Sequence, residues 1–234
     1  MNLTKTFLIY VCLFVGACSS TNPNNNQNAN DDPKRNHFAS DYEKDLIAPL
    51  EADIYILTER ETFDEPTLGT MLRYVNKDFP EDNITLYVYP ISAINWDNTE
   101  ETINQELGYV LEEIDMAVNQ GMYKSREKET KNNFVITHNM QEFKGVKSKL
   151  KIIDKNDVLF YSNTYLFILE DKFIKFRISF DSRMSKEIDG DNIVETLLPL
   201  IKVPVESVYM ENIRADHREK MQKAFVQMFL ENSR

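Results

Sequence analysis

The sequence predicts an α+β domain, an antiparallel sheet built mostly as a meander and flanked by helices. Three observations predict it. Strand-like runs follow one another without intervening helices, as expected where strands and helices segregate. Phe173–Phe180 sets Lys175, Arg177 and Ser179 against Ile174, Phe176, Ile178 and Phe180, the period-2 pattern of a half-buried strand. Apolar residues at helical spacing are confined to the stretches 99–120, 189–200 and 210–230.

From the N-terminal side, Asp53–Thr58 reads as a first strand and Leu68–Val75 as a second, with Gly69 marking a bulge. The Pro-, Asp- and Asn-rich stretch 77–83 is a turn. Ile84-Thr85-Leu86-Tyr87-Val88-Tyr89-Pro90 is the clearest strand, rich in β-branched and aromatic residues and ended by Pro90. Thr99 is the expected N-cap of a helix with Glu100 and Glu101 in its first turn. Ile103, Leu107, Val110, Leu111, Ile114 and Val118 form its apolar stripe, and Gly121 closes it.

The next segment is all strand: Phe134–Thr137, Lys147–Ile153, Val158–Leu169 and Phe173–Phe180, joined by turns at 154–157 and 170–171. Such a meander has one solvated face, on which Lys147, Lys149, Lys151, Lys175 and Arg177 are expected together. Residues 189–200 make a second helix with Ile193, Leu197 and Leu198 inward. Residues 210–230 make a peripheral third, with Ile213, Met221, Ala224, Phe225, Met228 and Phe229 on its apolar side. Tyr87, Tyr89, Tyr161, Tyr165, Phe167, Phe173, Phe176 and Phe180 are read as core and cross-strand pairs, the rival reading being an aromatic face for a partner.

The order of elements, with Thr85-Leu86-Tyr87-Val88-Tyr89-Pro90 and the strand Phe173–Phe180 ahead of a closing helix, resembles PsbP-like proteins over roughly residues 42–200. The resemblance implies an α-β-α sandwich and a binding or assembly role rather than catalysis. It carries no site residue across.

Residues 1–17 read as a signal peptide. Lys5 is its charged region, and Phe7–Val15 is an apolar run too short for a bilayer-spanning helix, which needs ~20 residues. Val15-Gly16-Ala17-Cys18 follows, an aliphatic residue, two small ones and a cysteine. This resembles the lipobox of bacterial lipoproteins, which implies cleavage before Cys18 and acylation of its thiol. Val15 stands where the family most often has Leu. The other cysteine, Cys12, lies inside the apolar run and would leave with the signal, so no internal disulfide is expected. One acyl chain binds membranes only marginally, whereas two or three hold firmly. Ser19, where an Asp favours inner-membrane retention in Gram-negative lipoproteins, implies transfer to the periplasmic face of the outer membrane, with the inner membrane as the alternative.

Residues 18–36 follow as lipidated cysteine and tether. Seven of the eighteen residues from Ser19 to Asn36 are Asn, and the stretch has too little apolar surface to offset its ordering entropy. A flexible chain of that length reaches roughly 25 Å. Residues 37–234 are read as one α+β domain with a C-terminal helix.

A net charge of -11 opposes binding to nucleic acid and adhesion to anionic lipid, so membrane attachment falls to Cys18. No GxSxG, P-loop, GxGxxG or HExxH pattern occurs. His37, His138 and His217 are read as polar surface residues. Acidic groups stand at Asp78/Glu81/Asp82, Glu112/Glu113/Asp115 and Asp189/Asp191; the segment Glu187–Asn192 lacks the twelve-residue spacing and terminal Glu of a calcium loop, and Asp189 or Asp191 is expected as a helix N-cap. No catalytic residue, metal site or cofactor is therefore assigned.

The expectation is a membrane-anchored lipoprotein with a non-enzymatic binding or assembly domain and a protein partner. The alternatives are a carrier holding a small apolar ligand between helix 99–120 and the sheet, and a hydrolase with an unrecognised carboxylate site.

Overall fold

Alternation of apolar residues along successive strands gives this chain two buried sheet faces rather than one. The computed structural model describes residues 42–65, 67–93, 96–183, 190–206 and 208–232. These all fall within one unit, Lys34–Arg234. The signal, lipobox and tether positions, including Val15, Gly16, Ala17 and Cys18, lie outside the described residues.

In chain order the elements are α1 (Tyr42–Asp45), β1 (Glu51–Ala52), β2 (Tyr55–Thr62), β3 (Thr70–Asn76), β4 (Asn83–Pro90), α2 (Thr99–Asn119), β5 (Ser125–Arg126), β6 (Thr130–His138), β7 (Gln141–Ile153), β8 (Leu159–Leu169), β9 (Lys172–Asp181), α3 (Gly190–Leu197), a 3-10 turn (Leu198–Leu200) and α4 (Val208–Asn232). Among the described residues the strands form one nine-stranded sheet, ordered β1-β2-β3-β4-β9-β8-β7-β5, with β6 also on β7. Every pairing is antiparallel. The fold is thus mostly antiparallel sheet with a few helices.

Consecutive residues of a strand point to opposite faces. Tyr165 and Phe167 of β8 belong to one buried cluster, with Leu72, Leu86, Phe176 and α3 residues Ile193, Val194 and Leu197. Leu166 and Ile168 join the other, with Ile103, Leu107, Leu111 and Ile114 of α2 and Leu150, Ile152 and Phe173 of the sheet. The helical stripe read from sequence is therefore what α2 buries, except that Val118 is only half-buried.

Several expectations change. The cap of α2 is Asn98, whose Oδ1 accepts from the Glu101 N–H at 3.3 Å, so Thr99 is the first helical residue. Asp53 has φ 54° and lies in a turn, so the first long strand begins only at Tyr55. The bulge falls between Leu57 and Glu59 in β2. Gly69 instead precedes β3 at φ 68°, where a side chain would run into the Val88 carbonyl and the Tyr89 backbone. Pro199 converts the end of the second helix into the 3-10 turn. The C-terminal helix is docked at its start, where Met210 and Arg214 are buried, while Met221 and Ala224 are exposed. The spacing predicts both on its apolar side; the side chains of Phe225, Met228 and Phe229, predicted there too, lie outside the described residues.

No helix among the described residues is long and apolar enough to cross a membrane.

Candidate functional site

The cations expected together are divided between the two sheet faces. Lys147 pairs in register with Tyr165, and Lys175 with Leu166. Since Tyr165 and Leu166 are consecutive, the two lysines point to opposite sides. The single wet lysine face of the meander does not exist.

On the α3 side, Lys147 Nζ donates to Asp191 Oδ2 at 2.6 Å and Tyr165 OH donates to Asp191 Oδ1 at 2.6 Å. Lys149 Nζ stands 3.6 Å from the same carboxylate. Burial pushes the Asp191 pKa up, but the two hydrogen bonds and the lysine charges outweigh it and hold the carboxyl below its ordinary value. Asp191 lies in the first turn of α3 rather than at its cap. Lys151 pairs with Glu127 at 3.2 Å. The lysine row thus has acidic partners within the chain.

On the α2 side, Lys175 Nζ is 5.1 Å from the ring centroids of both Tyr87 and Tyr89. Tyr89 stacks at a tilt on Phe173, 5.4 Å between centroids, and its OH donates to Glu106 Oε1 of α2 at 2.6 Å. Burial lowers the Lys175 pKa against the pull of Glu113 and Glu106, and burial followed by Glu106 raises that of Tyr89. The next register row runs Ser148, Thr164, Arg177, Thr85, Arg73, Glu59 across six strands. It ends in an ion pair, Arg73 Nε to Glu59 Oε2 at 3.1 Å. Ser148, Ser162 and Thr164 are fully buried, and their small side chains let α2 lie close over β7 and β8. Aromatics, cations and carboxylates thus meet on this half-open face.

An open groove of 380 Å³ lies where α2 meets β6, lined by Asn104, Leu107, Lys131, Asn132, Asn133 and Val146. Its chemistry is mainly carboxamide and ammonium, with aliphatic methyls at Leu107 and Val146.

A buried ionic knot holds α4. Lys172 Nζ donates to Asp171 Oδ1, Arg214 reaches the Ile91 carbonyl and pairs with Glu206, and its guanidinium lies 3.7 Å from Asp171 Oδ2. Arg214 also stands 5.9 Å from the Trp96 ring. Lys172, Asp171 and Arg214 are buried, Glu206 is half-buried, and the two cations face two carboxylates, the condition for keeping ions out of water.

The acidic groups read from sequence come apart. Asp115 is held by a bidentate contact with Arg126, 2.5 and 2.6 Å, which also engages Glu129. Asp82 is buried, and burial followed by the Glu81 charge pushes its pKa up to about 6. Asp189 and His37 lie outside the described residues, and His138 and His217 are exposed. Among the described residues no three His, Cys, Asp or Glu side chains gather as a metal site.

Sequence reading missed the Lys175–Tyr89–Glu106 contact and the groove. The alternation of 173–180 placed Lys175 beside Arg177, but only strand pairing sets it against Tyr87.

No protein-family profile matches the chain. No curated protein matches it. Among solved structures, the chain is similar to the solution structure of cyanobacterial PsbP (CyanoP) from Synechocystis sp. PCC 6803, at 13% identity and a TM-score of 0.43, over 81% of this chain and 98% of that one.

Proposed function

We propose that the chain is a lipid-anchored bacterial lipoprotein whose soluble domain is a non-enzymatic binding or assembly module for another protein. Anchoring rests on Val15-Gly16-Ala17-Cys18 directly after a short apolar run behind Lys5. The module reading rests on one observation above others: the half-open sheet face where Lys175 lies against Tyr87 and Tyr89 beside Glu106. Tyrosine and arginine are enriched where proteins recognise proteins, and Arg177 stands two residues from Lys175 on the same face. The layering behind it is read as an α-β-α sandwich, with α2 on one sheet face and α3 on the other. Ser19 supports the periplasmic face of the outer membrane as the location, with the inner membrane as the alternative.

The carrier alternative draws little support. The α2–sheet interface is filled by Ile103, Leu107, Leu111 and Ile114 against Leu150, Ile152, Leu166 and Phe173, and the adjoining groove is lined largely by polar groups.

The test has two arms. Cys18→Ala is expected to abolish radiolabelled-palmitate incorporation and to move the protein into the soluble exported fraction. Unchanged membrane retention in that variant defeats the anchor. Pull-down of the intact lipid-bearing protein from membranes is expected to return a stoichiometric protein partner that the double variant Tyr87→Ala/Tyr89→Ala loses. Retention of every co-purifying protein by that variant, with its fold verified by circular dichroism, defeats docking on this face.

A further inference from the structure

The geometry points to the outer edge of β6 as a strand-addition site for an extended segment of a partner protein, with a glutamate of that segment entering the groove beside Lys131. β7 is paired on both sides, by β8 and by β6, whereas β6 pairs only with β7 among the described residues. Its nine residues, Thr130–His138, run in unbroken register from Thr130↔Lys149 to His138↔Gln141, with no bulge and no proline. Only Phe134 and Ile136 are buried, and Val135 is 52% exposed.

Natural edges are usually blunted, because unpaired N–H and C=O groups template another strand. The opposite end of this sheet is blunted in that way: β2 carries a register shift between Leu57 and Glu59, the charged run Glu59-Arg60-Glu61, and a short capping strand, β1. The β6 edge has Lys131 as its one formal charge.

The groove independently adjoins this edge. Lys131 pairs in register with Ser148 and Asn133 with Val146, so both project toward the α2 side, where Asn104 and Leu107 complete the lining. Added strands take affinity from main-chain hydrogen bonds and specificity from pockets for alternate side chains. Lys131 Nζ is only loosely engaged, 3.6 Å from Glu129 Oε1, while Glu129 Oε2 is taken by Arg126 at 2.6 Å. Methyls of Leu107 and Val146 suit an aliphatic stem, and the ammonium and carboxamides suit a carboxylate at its end. A second copy of the chain fits poorly, because β6 itself carries no acidic residue to meet Lys131.

The inference deepens the binding-module reading and rests on it. The probe is a blocked nonapeptide of alternating Thr and Val with one central Glu, alongside its Gln and Lys counterparts, added to the intact protein. The Glu peptide is expected to slow amide exchange across residues 130–138 by about tenfold or more and to bind about tenfold tighter than the Lys peptide, on the scale of one charge-assisted hydrogen bond. Lys131→Glu, an exposed substitution, is expected to reverse that order. Unchanged exchange in 130–138 with every peptide, or the same order in Lys131→Glu, overturns the site. So does protection that rises with protein concentration alone, which assigns the edge to a second copy. A photo-cross-linker at Asn133 and another at Tyr87, which stands across from Lys175, separate the two readings: a membrane partner captured at Tyr87 alone overturns the edge and leaves the module standing, and no partner at either position sinks both.

Discussion

Lys147 and Asp191, 44 residues apart in sequence, bind at 2.6 Å and tie the middle of β7 to the first turn of α3. Tyr165 donates to the same carboxylate from β8, so one acid fastens the helix to neighbouring strands.

Asp191→Ala is expected to lower stability by about 2 kcal/mol, because two donors lose their shared acceptor in a partly buried place. The folded carboxyl lies below its ordinary value. Its contribution is therefore complete above the unfolded pKa of about 3.9 and lost as pH falls through the lower folded value. Urea unfolding at pH 7 and again near pH 2 checks this: the gap between wild type and variant should close in acid.

Asp82 has the opposite sign. Its folded pKa is pushed up to about 6, so the folded state binds the proton more tightly than the unfolded chain. That stability is present in acid, below the unfolded value, and lost as pH rises through about 6. Asp82→Asn should stabilise the domain at pH 8 by on the order of 1 kcal/mol, allowing for screening, and change little at pH 4. A variant no more stable than wild type at pH 8 contradicts the assignment.

Removing Arg214 should release α4. Arg214→Met leaves Glu206 without its ion-pair partner and frees the Ile91 carbonyl. A loss of about 3 kcal/mol is expected, the scale of a broken buried pair. Hydrogen exchange should quicken first in residues 208–216. Uniform quickening across the sheet instead would show that α4 does not open separately.

The glycines give an internal control. At Gly145 a Cβ would stand 2.4 Å from the Leu166 carbonyl and 2.5 Å from the Phe167 ring, so Gly145→Ala should cost about 2–3 kcal/mol. At Gly108, within α2, nothing lies within 4 Å of that position. Gly108→Ala should be neutral or stabilise by up to ~1 kcal/mol. Thermal unfolding of both variants reads the contrast directly.

Much of the element order was legible. Residues 84–90 and 173–180 are strands because their alternation and β-branching are properties of a few adjacent residues. The stripe of 103–114 is buried because helical period is equally local. The short elements α1, β1 and β5 escaped notice, being too brief to carry a period. Helix α4 misled for a related reason: its sequence places Met221 and Ala224 inward, yet both are exposed while Met210 and Arg214 are buried. The candidate faces were less legible than the strands, since Lys147 and Lys175 look alike in sequence and differ only in which residue stands across the ladder.

By itself the sequence determined which stretches are strand and which are helix, because periodicity and turn chemistry act over a few residues. Tertiary structure alone decided that Lys147 meets Asp191, that Lys175 lies against Tyr87, and that β6 is left at an edge. Those outcomes depend on register, where a slip of one residue sends every side chain to the other face. Register is set by the summed burial of the whole sheet, which no short segment encodes.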